Sequence, residues 1–198
     1  MAGRWPRRAR RLAAGAALLL DAWAAAPAAA QTVAQVPLAG GAVAFAMHST
    51  VIGAFTGRAS VAHAEFTGNR LEAVRGFAEV RVADMRTGIA ARDRHMREVM
   101  SADSFPVIRF DLVDVAPGAT AGDTTKAVLE GRLTLDGVTH PVRADGAVVV
   151  RPDGVDVDAR FVLDMRDYGI VPPVRALVLR VSPEVVVTVT LTFGAARP

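Results

Sequence analysis

The sequence contains no cysteine, and Lys126 is its only lysine. The absence of cysteine excludes disulfide bonds, thiolate chemistry and a lipid-modified cysteine. The single lysine leaves little room for lysine-based catalysis. A folded domain of this chain must therefore be held together by its hydrophobic core alone, and 198 residues are enough to bury one.

A hydrophobic run long enough to cross a membrane is also missing. The apolar stretch "AAGAALLLDAWAAAP" is shorter than the roughly 20 residues of a membrane span, and Asp21 interrupts it. Arginines precede it at positions 4, 7, 8, 10 and 11, and small residues, Ala28–Ala30, stand before Gln31. This pattern predicts a secretory signal peptide over residues 1–30, and hence a periplasmic or secreted protein. A retained membrane anchor is the alternative, and the export route, general or twin-arginine, stays open.

The apparent excess of positive charge belongs to this leader. The whole chain has 23 Lys and Arg against 20 Asp and Glu, but without residues 1–30 the numbers are 18 and 19, a net charge of −1. A nucleic-acid partner requires a basic surface, and no arginine cluster interleaved with aromatic residues remains. We therefore expect no nucleic-acid partner, and no stable membrane insertion once the leader is removed.

After a short N-terminal segment, residues 31–41, the dominant pattern has period two. Apolar residues alternate with polar or small ones in several segments, and Pro-Gly and Asp-Gly pairs separate these segments. Strands with one apolar and one polar face are typical of antiparallel sheets. The pattern predicts an all-β fold over residues 42–194, a sandwich or a closed antiparallel barrel of about eight strands, followed by a short tail at residues 195–198.

One helical segment interrupts the strands near residues 89–100. Ile89, Asp93, Met96 and Met100 have the spacing of one helix stripe, with Arg94 and Glu98 on the opposite, polar side. Asp93 is thus predicted to lie inside, where an unpaired carboxylate is costly. It needs donors, which neighbouring Arg92, the distant Arg166 or the helix N-terminus could supply.

Four segments, taken together and in this order, resemble the polyisoprenoid-binding YceI-like family of exported bacterial proteins. They are "FAMHSTVIGAFTGRA" (45–59), "TGIAARDRHMREVMSADSFPVIRF" (87–110), "EGRLTLDGVTHPV" (130–142) and "FVLDMRDYGI" (161–170). The resemblance implies a lipocalin-like antiparallel barrel of about eight strands with an apolar tunnel and a helical segment near one mouth. It also implies a long-chain isoprenoid, such as a polyprenyl lipid or the tail of a quinone, as a bound ligand rather than a cofactor.

The residues themselves are compatible with such a ligand, because the inward faces of the predicted strands are aliphatic and aromatic and alternate with Gly and Ala. An apolar chain needs only apolar area, worth roughly 25 cal/mol per Å². We predict seven residues on the tunnel wall: Phe45, Met47, Phe55, Phe110, Leu133, Phe161 and Leu163. The same side chains also suit an ordinary core, and the sequence does not separate the two.

The ionisable residues have two interpretations. Arg92, Asp93, His95 and Arg166 are predicted to form a structural latch or a gate of the tunnel, with contact to a polar ligand head as the lesser alternative. A hydrolase triad of Ser49 or Ser104 with His95 and Asp93 is disfavoured, because residues two apart on a helix face different sides and no Gly-x-Ser-x-Gly motif is present. The four histidines lack the close spacing of zinc ligands, so no metal is expected.

The sequence thus predicts an exported, non-enzymatic protein that holds a polyisoprenoid or a similar lipid for transport, storage or sequestration. A stress-related structural or interaction protein with a barrel filled by its own side chains is the first alternative. An enzyme acting on an isoprenoid is the second. A homodimer is compatible with all three.

Overall fold

A computed structural model describes residues 37–50, 53–171, 174–175 and 179–194. The predicted signal peptide (1–30), most of the predicted N-terminal segment (31–36) and the predicted tail (195–198) lie outside these residues. The described part is almost entirely β-structure, with one α-helix and three short 3₁₀ turns. The predicted all-β fold with one helix is confirmed.

The strands follow the alternation seen in the sequence. On the sixth strand and the tenth, residues at alternate positions are buried, apart from the half-buried Val189, and the residues between them are exposed or half-buried. On the eighth strand, half-buried and exposed residues alternate from Val157 to Leu163. The elements are β1 (Leu38–Ser49), β2 (Gly53–Ser60), β3 (His63–Thr67), β4 (Arg75–Arg81), α1 (Ala90–Val99), β5 (Val107–Ala121), β6 (Thr124–Leu135), β7 (Val138–Arg151), β8 (Gly154–Asp164), β9 (Val174–Arg175) and β10 (Leu179–Gly194).

The strands form one antiparallel sheet in the order β2-β1-β10-β8-β7-β6-β5-β4-β3, with the two-residue β9 paired to β10. The two edges, β2 and β3, are consecutive in the chain, and only two residues separate them. Directly after β2, Val61 donates its N–H to Gly41 O on β1 (2.9 Å), and the next residue, Ala62, donates to Glu79 O on β4 (2.8 Å). Because β2 pairs with β1 and β3 pairs with β4, this one stretch of chain joins the two ends of the strand order, and the nine-strand sheet curls around a common interior.

The two ends of this barrel differ, and the strand pairing identifies them. At the helix end, β1 turns into β2 (Ser49 opposite Gly53) and β6 into β7 (Leu135 opposite Val138), and α1 connects β4 to β5. At the opposite end, called the loop end, β5 turns into β6 and β7 into β8, and residues Gly68–Val74 connect β3 to β4. The segment 101–106 returns the chain from α1 to β5.

Buried apolar residues form two clusters inside the barrel. The larger cluster joins β1, β10 and the start of β3 to the α1 region, where Val82, Met85 and Met100 are buried. The smaller cluster lies on β5, β6 and β7 around Leu112 and Val115, and Leu71 and Val74 of the β3–β4 connection pack against it. The interior is therefore apolar throughout its length, which sets the character of the cavity described next.

Candidate ligand-binding site

The barrel encloses a cavity of about 650 Å³. Its wall reaches the helix end at residues such as Met47 and Met165, and it reaches the loop end at Val150 and Phe193. Ligand pockets commonly measure about 300–1,000 Å³, so this volume is sufficient for a small-molecule ligand. The cavity runs from one end of the barrel to the other and is bounded mainly by aliphatic side chains.

All seven residues predicted for the tunnel wall lie on the wall of this cavity. They come from β1, β2, β5, β6 and β8, and they converge because each occupies an inward position on its strand: Phe45, Met47, Phe55, Phe110, Leu133, Phe161 and Leu163. Phe45 and Leu133 are each 5% exposed, whereas the other five are half-buried. All seven therefore face the cavity, and their contact with a ligand stays a prediction.

Two glycines make room for two of the aromatic rings on the wall. A Cβ atom at Gly57 would overlap the ring of Phe45, and one at Gly131 would overlap the ring of Phe110. Both glycines lie on strands that neighbour the ring-bearing strand, so each ring packs flat over a neighbouring backbone. This close approach keeps the rings along the wall.

Asp93 lies inside the protein, as predicted, with 6% of its surface exposed. The N–H of Thr87 (2.7 Å) and its hydroxyl (2.6 Å) both donate to Asp93 Oδ1. These two hydrogen bonds, with help from the charges of Arg86 and Arg97, lower the pKa of Asp93 against the opposing effect of burial. The carboxylate thereby ties α1 to the loop that precedes it.

The arginines suggested as partners of Asp93 make other contacts. The guanidinium of Arg92 lies over the ring of Phe55, 4.4 Å from its centroid. Arg166 donates from Nε to Asp164 Oδ1 at 3.0 Å, and its own side chain is exposed. This pairing raises the pKa of Arg166 and lowers that of Asp164. The latch at α1 is therefore a hydrogen-bonded carboxylate rather than an ion pair, and Arg166 takes no part in it.

His95 also contacts a different partner from the one a catalytic triad requires. Its Nδ1 lies 3.6 Å from Glu98 Oε2, and Asp93 accepts from Thr87 instead. His95 Nε2 is buried without a hydrogen-bond partner among the described residues. Arg92 and His95 both line the cavity at the helix end, whereas Asp93 and Arg166 do not. Of the four predicted latch residues, two therefore reach the cavity.

Sequence reasoning missed a second set of polar residues on the wall. Thr67, Asn69 and Arg70 line the cavity at the loop end, where the chain leaves β3. The available signal was a run of polar residues directly after a strand, "TGNR", but nothing local indicates that this connection faces the interior. Within the residues that the structure describes, no three His, Asp or Glu side chains are grouped as metal ligands are.

Comparisons with known proteins agree with this architecture. The YceI-like domain matches residues 29–193. No curated protein matches significantly. No helix within the described ranges is long and apolar enough to cross a membrane.

Several solved structures share the fold at low sequence identity. A polyisoprenoid-binding domain from Saccharophagus degradans, implicated in plant cell wall breakdown, is 14% identical, with a TM-score of 0.64 over 83% of this chain and 99% of that one. BcnA of Burkholderia cenocepacia is 14% identical, with a TM-score of 0.62 over 77% and 95%. The YceI protein of Campylobacter jejuni is 14% identical, with a TM-score of 0.56 over 68% and 81%. Because the domain match covers most of the sequence and the barrel has the corresponding form, the chain belongs to the YceI-like family.

Proposed function

We propose that this protein binds a polyisoprenoid, or a similar long-chain apolar lipid such as an isoprenoid quinone, inside the barrel. The observation that carries the proposal is the cavity of about 650 Å³ that extends between the two ends and is lined almost entirely by apolar side chains. An apolar chain placed there gains roughly 0.8 kcal/mol for each CH₂ group removed from water. The solved relative from Saccharophagus degradans, which is named for polyisoprenoid binding, supports this class of ligand.

The cavity also bears on the alternative of a barrel filled by its own side chains. Such a barrel would bring its inward residues into mutual contact at the density of other protein interiors. Here the inward residues of β1, β8 and β10 surround space instead, and five of the seven predicted wall residues are half-buried. Binding in the interior therefore explains the structure better than action through the surface alone.

We predict a binding protein rather than an enzyme. Asp93 is hydrogen-bonded to Thr87, and His95 faces Glu98, so the described residues do not present a hydrogen-bonded Asp-His pair to the cavity. The variants Asp93→Asn and His95→Ala test this prediction. Loss of turnover of an isoprenoid, with binding and folding intact, would favour an enzyme.

Extraction of the purified protein tests the proposal directly. The protein is expressed from its full sequence in a bacterium, purified without detergent and analysed by native mass spectrometry, and the extract is analysed by lipid mass spectrometry. We expect an isoprenoid lipid or quinone bound at close to one molecule per chain. Repeated recovery of empty protein that also fails to bind added polyprenol or quinone would contradict the proposal.

We further propose that the protein acts outside the cytoplasm, in the periplasm or after secretion, where it transports, stores or sequesters its lipid. The arginine-rich start and the short apolar run of residues 1–30 support export. Cell fractionation with N-terminal sequencing tests this, and the expected processed form begins at Gln31. Recovery of the unprocessed chain from the cytoplasm would contradict it.

A further inference from the structure

The hydrogen-bonding side chains on the cavity wall lie at its two ends. Thr87, Arg92 and His95 are at the helix end, and Thr67, Asn69 and Arg70 are at the loop end. Between them the described wall is formed by apolar residues and glycine. A ligand with one polar group must therefore place that group at one of the two ends, because a polar group against the apolar middle would lose its hydrogen bonds.

The polar groups at the helix end lie against other groups of the protein, and the Thr87 hydroxyl is hydrogen-bonded there. The Thr87 hydroxyl donates to Asp93 (2.6 Å), Arg92 lies over Phe55, and the Nδ1 of His95 faces Glu98. The remaining atom, His95 Nε2, is buried among protein atoms. Around these groups, Met96, Val99 and Met100 present apolar surface to the cavity. The described residues of this end, called the pole under α1, thus present mainly apolar surface to the cavity, which suits the end of an apolar tail.

The loop end has the opposite character. Thr67, Asn69 and Arg70 are exposed while they line the cavity, and the Arg70 side chain is 76% exposed. Arg70 Nε is 3.7 Å from Glu72 Oε2, which is too long for a hydrogen bond. Among the described contacts, the side chains of Thr67 and Asn69 have no hydrogen-bond partner. This end is therefore exposed to solvent, and its Thr67 and Asn69 side chains can donate to a ligand beside the Arg70 guanidinium, whose ion pair with Glu72 is long and exposed.

The loop that carries these donors is held in place. Ala73 donates to Arg70 O (3.0 Å), and Arg75 Nη1 donates to Glu72 O (3.0 Å). Leu71 and Val74 anchor the same connection on the apolar cluster around Leu112. A preorganised site binds with a smaller entropic cost than a mobile loop, so three polar residues can form a defined mouth.

We propose that Thr67, Asn69 and Arg70 bind the polar head group of an amphiphilic ligand, and that its apolar tail extends from this mouth to the pole under α1. The head group is one that accepts hydrogen bonds, because the arginine supplies only donors and the amide and hydroxyl supply further ones. This inference rests on the proposed lipid-binding function. It adds the orientation of the ligand and the chemistry of its head.

Three probes with the same fifteen-carbon tail test the inference by isothermal titration calorimetry: farnesyl phosphate, farnesol and the headless hydrocarbon farnesene. We expect farnesyl phosphate to bind at least about tenfold more tightly than farnesene, because charged hydrogen bonds are the stronger ones, with farnesol between them. The Asn69→Ala/Arg70→Gln double variant should still bind farnesene, but the ratio of its affinities for farnesyl phosphate and farnesene should fall to about twofold. Arg143→Gln on the outer surface is the control and should retain this affinity ratio, whereas Arg92→Gln at the other pole tests the opposite orientation of the ligand.

The outcomes separate this inference from the function on which it rests. Equal binding of all three probes, or a ratio that survives the double variant, would overturn the head-group site and leave lipid binding intact. Loss of the ratio in Arg92→Gln alone would place the head under α1 and overturn the orientation. Failure of every probe to bind would contradict lipid binding itself, and this inference with it.

Discussion

Tyr168 is the only tyrosine of the chain, and it is 2% exposed. Its ring packs edge-on against His140, with 5.2 Å between the ring centroids. Burial, together with the nearby charge of Asp167, raises the pKa of Tyr168 to about 12. The unfolded chain releases this proton near pH 10, so the buried phenol favours unfolding as the pH rises from about 10 to about 12.

We therefore expect tyrosinate absorbance at 295 nm to appear near pH 12, or below that pH only where the protein has unfolded. A titration followed by absorbance and circular dichroism together measures this, and the single tyrosine makes the assignment unambiguous. Reversible ionisation near pH 10 with an unchanged circular dichroism spectrum would show that the ring is open to water.

Asp93 predicts the opposite pH dependence of stability, a loss as the pH falls. Its folded pKa is lowered by the hydroxyl and N–H of Thr87, so the stabilisation is present above the unfolded pKa of about 3.9 and is lost as the pH falls through the folded pKa. We expect Asp93→Asn to lower the Tm at pH 7. The difference in Tm between this variant and the wild type should then disappear as the pH falls below about 4. Thermal melts across this range measure the difference.

The matched control for Asp93 is Asp103→Asn, which changes an exposed carboxylate in the segment after α1. Exposed substitutions of this kind usually change stability by less than about 0.5 kcal/mol. A Tm loss in Asp93→Asn that persists unchanged at low pH would mean that the side chain acts through packing alone.

At the scale of the elements, the sequence predicted what depends on local periodicity. The alternation along β8 correctly placed Phe161 and Leu163 inward, because successive side chains on a strand point to opposite faces. At the two ends of α1, Met100 is buried, as helix spacing predicts, but Ile89 is 50% exposed. Ile89 precedes the first helical residue and has an extended backbone (φ −125°, ψ 109°), so helix spacing does not apply to it. Thr87 was missed because its contact depends on the loop path.

The pairing of β4 with β5 carries a charged cluster on the outer face of the barrel. Arg109 donates to Glu79 (2.7 Å) and Asp111 (2.8 Å), and its guanidinium lies 3.7 Å from the ring centroid of Phe77. We expect Arg109→Gln to cost about 1 kcal/mol in the free energy of unfolding, because the cation–π contact and both ion pairs are lost together. Urea unfolding monitored by circular dichroism measures the change.

A second cross-strand arginine provides the comparison for Arg109. Arg143 on β7 donates to Glu130 on β6 at 2.8 Å, but their side chains are 68% and 51% exposed. An isolated exposed ion pair contributes little, so Arg143→Gln should cost less than about 0.5 kcal/mol. Equal losses in the two variants would show that the stacking of Arg109 on Phe77 adds nothing.

At the scale of the whole molecule, the residue pattern alone did not reveal the cavity, and only the family resemblance implied a tunnel. Phe45, Leu133 and Phe161 are equally compatible with a filled core, and whether space remains depends on the number and tilt of the strands around it. These quantities are set by long-range pairing, such as the closure at Val61 and Ala62. The polar mouth at the loop end could not be predicted from the sequence for the same reason, since it forms only where distant strand ends meet.

The cavity itself gives the last prediction. Ala144 is 3% exposed and lines the cavity from β7, so Ala144→Phe should place a ring in the space that the ligand tail needs. We expect apolar ligands such as farnesene to bind at least about tenfold more weakly, at a stability cost of about 1–3 kcal/mol or less, because an open cavity reduces overpacking.

The control for this substitution lies on the same strand. Ala147 does not line the cavity, because it lies three positions from Ala144 and so points to the other face of β7. We expect Ala147→Phe to leave ligand binding unchanged. If Ala144→Phe does not fold, Ala159→Leu fills the same cavity from β8 with a smaller side chain. Undiminished binding in a folded cavity-filling variant would place the ligand outside the barrel. Because each variant is compared by calorimetry and urea unfolding together, a loss of binding through the cavity is separated from a loss of the fold.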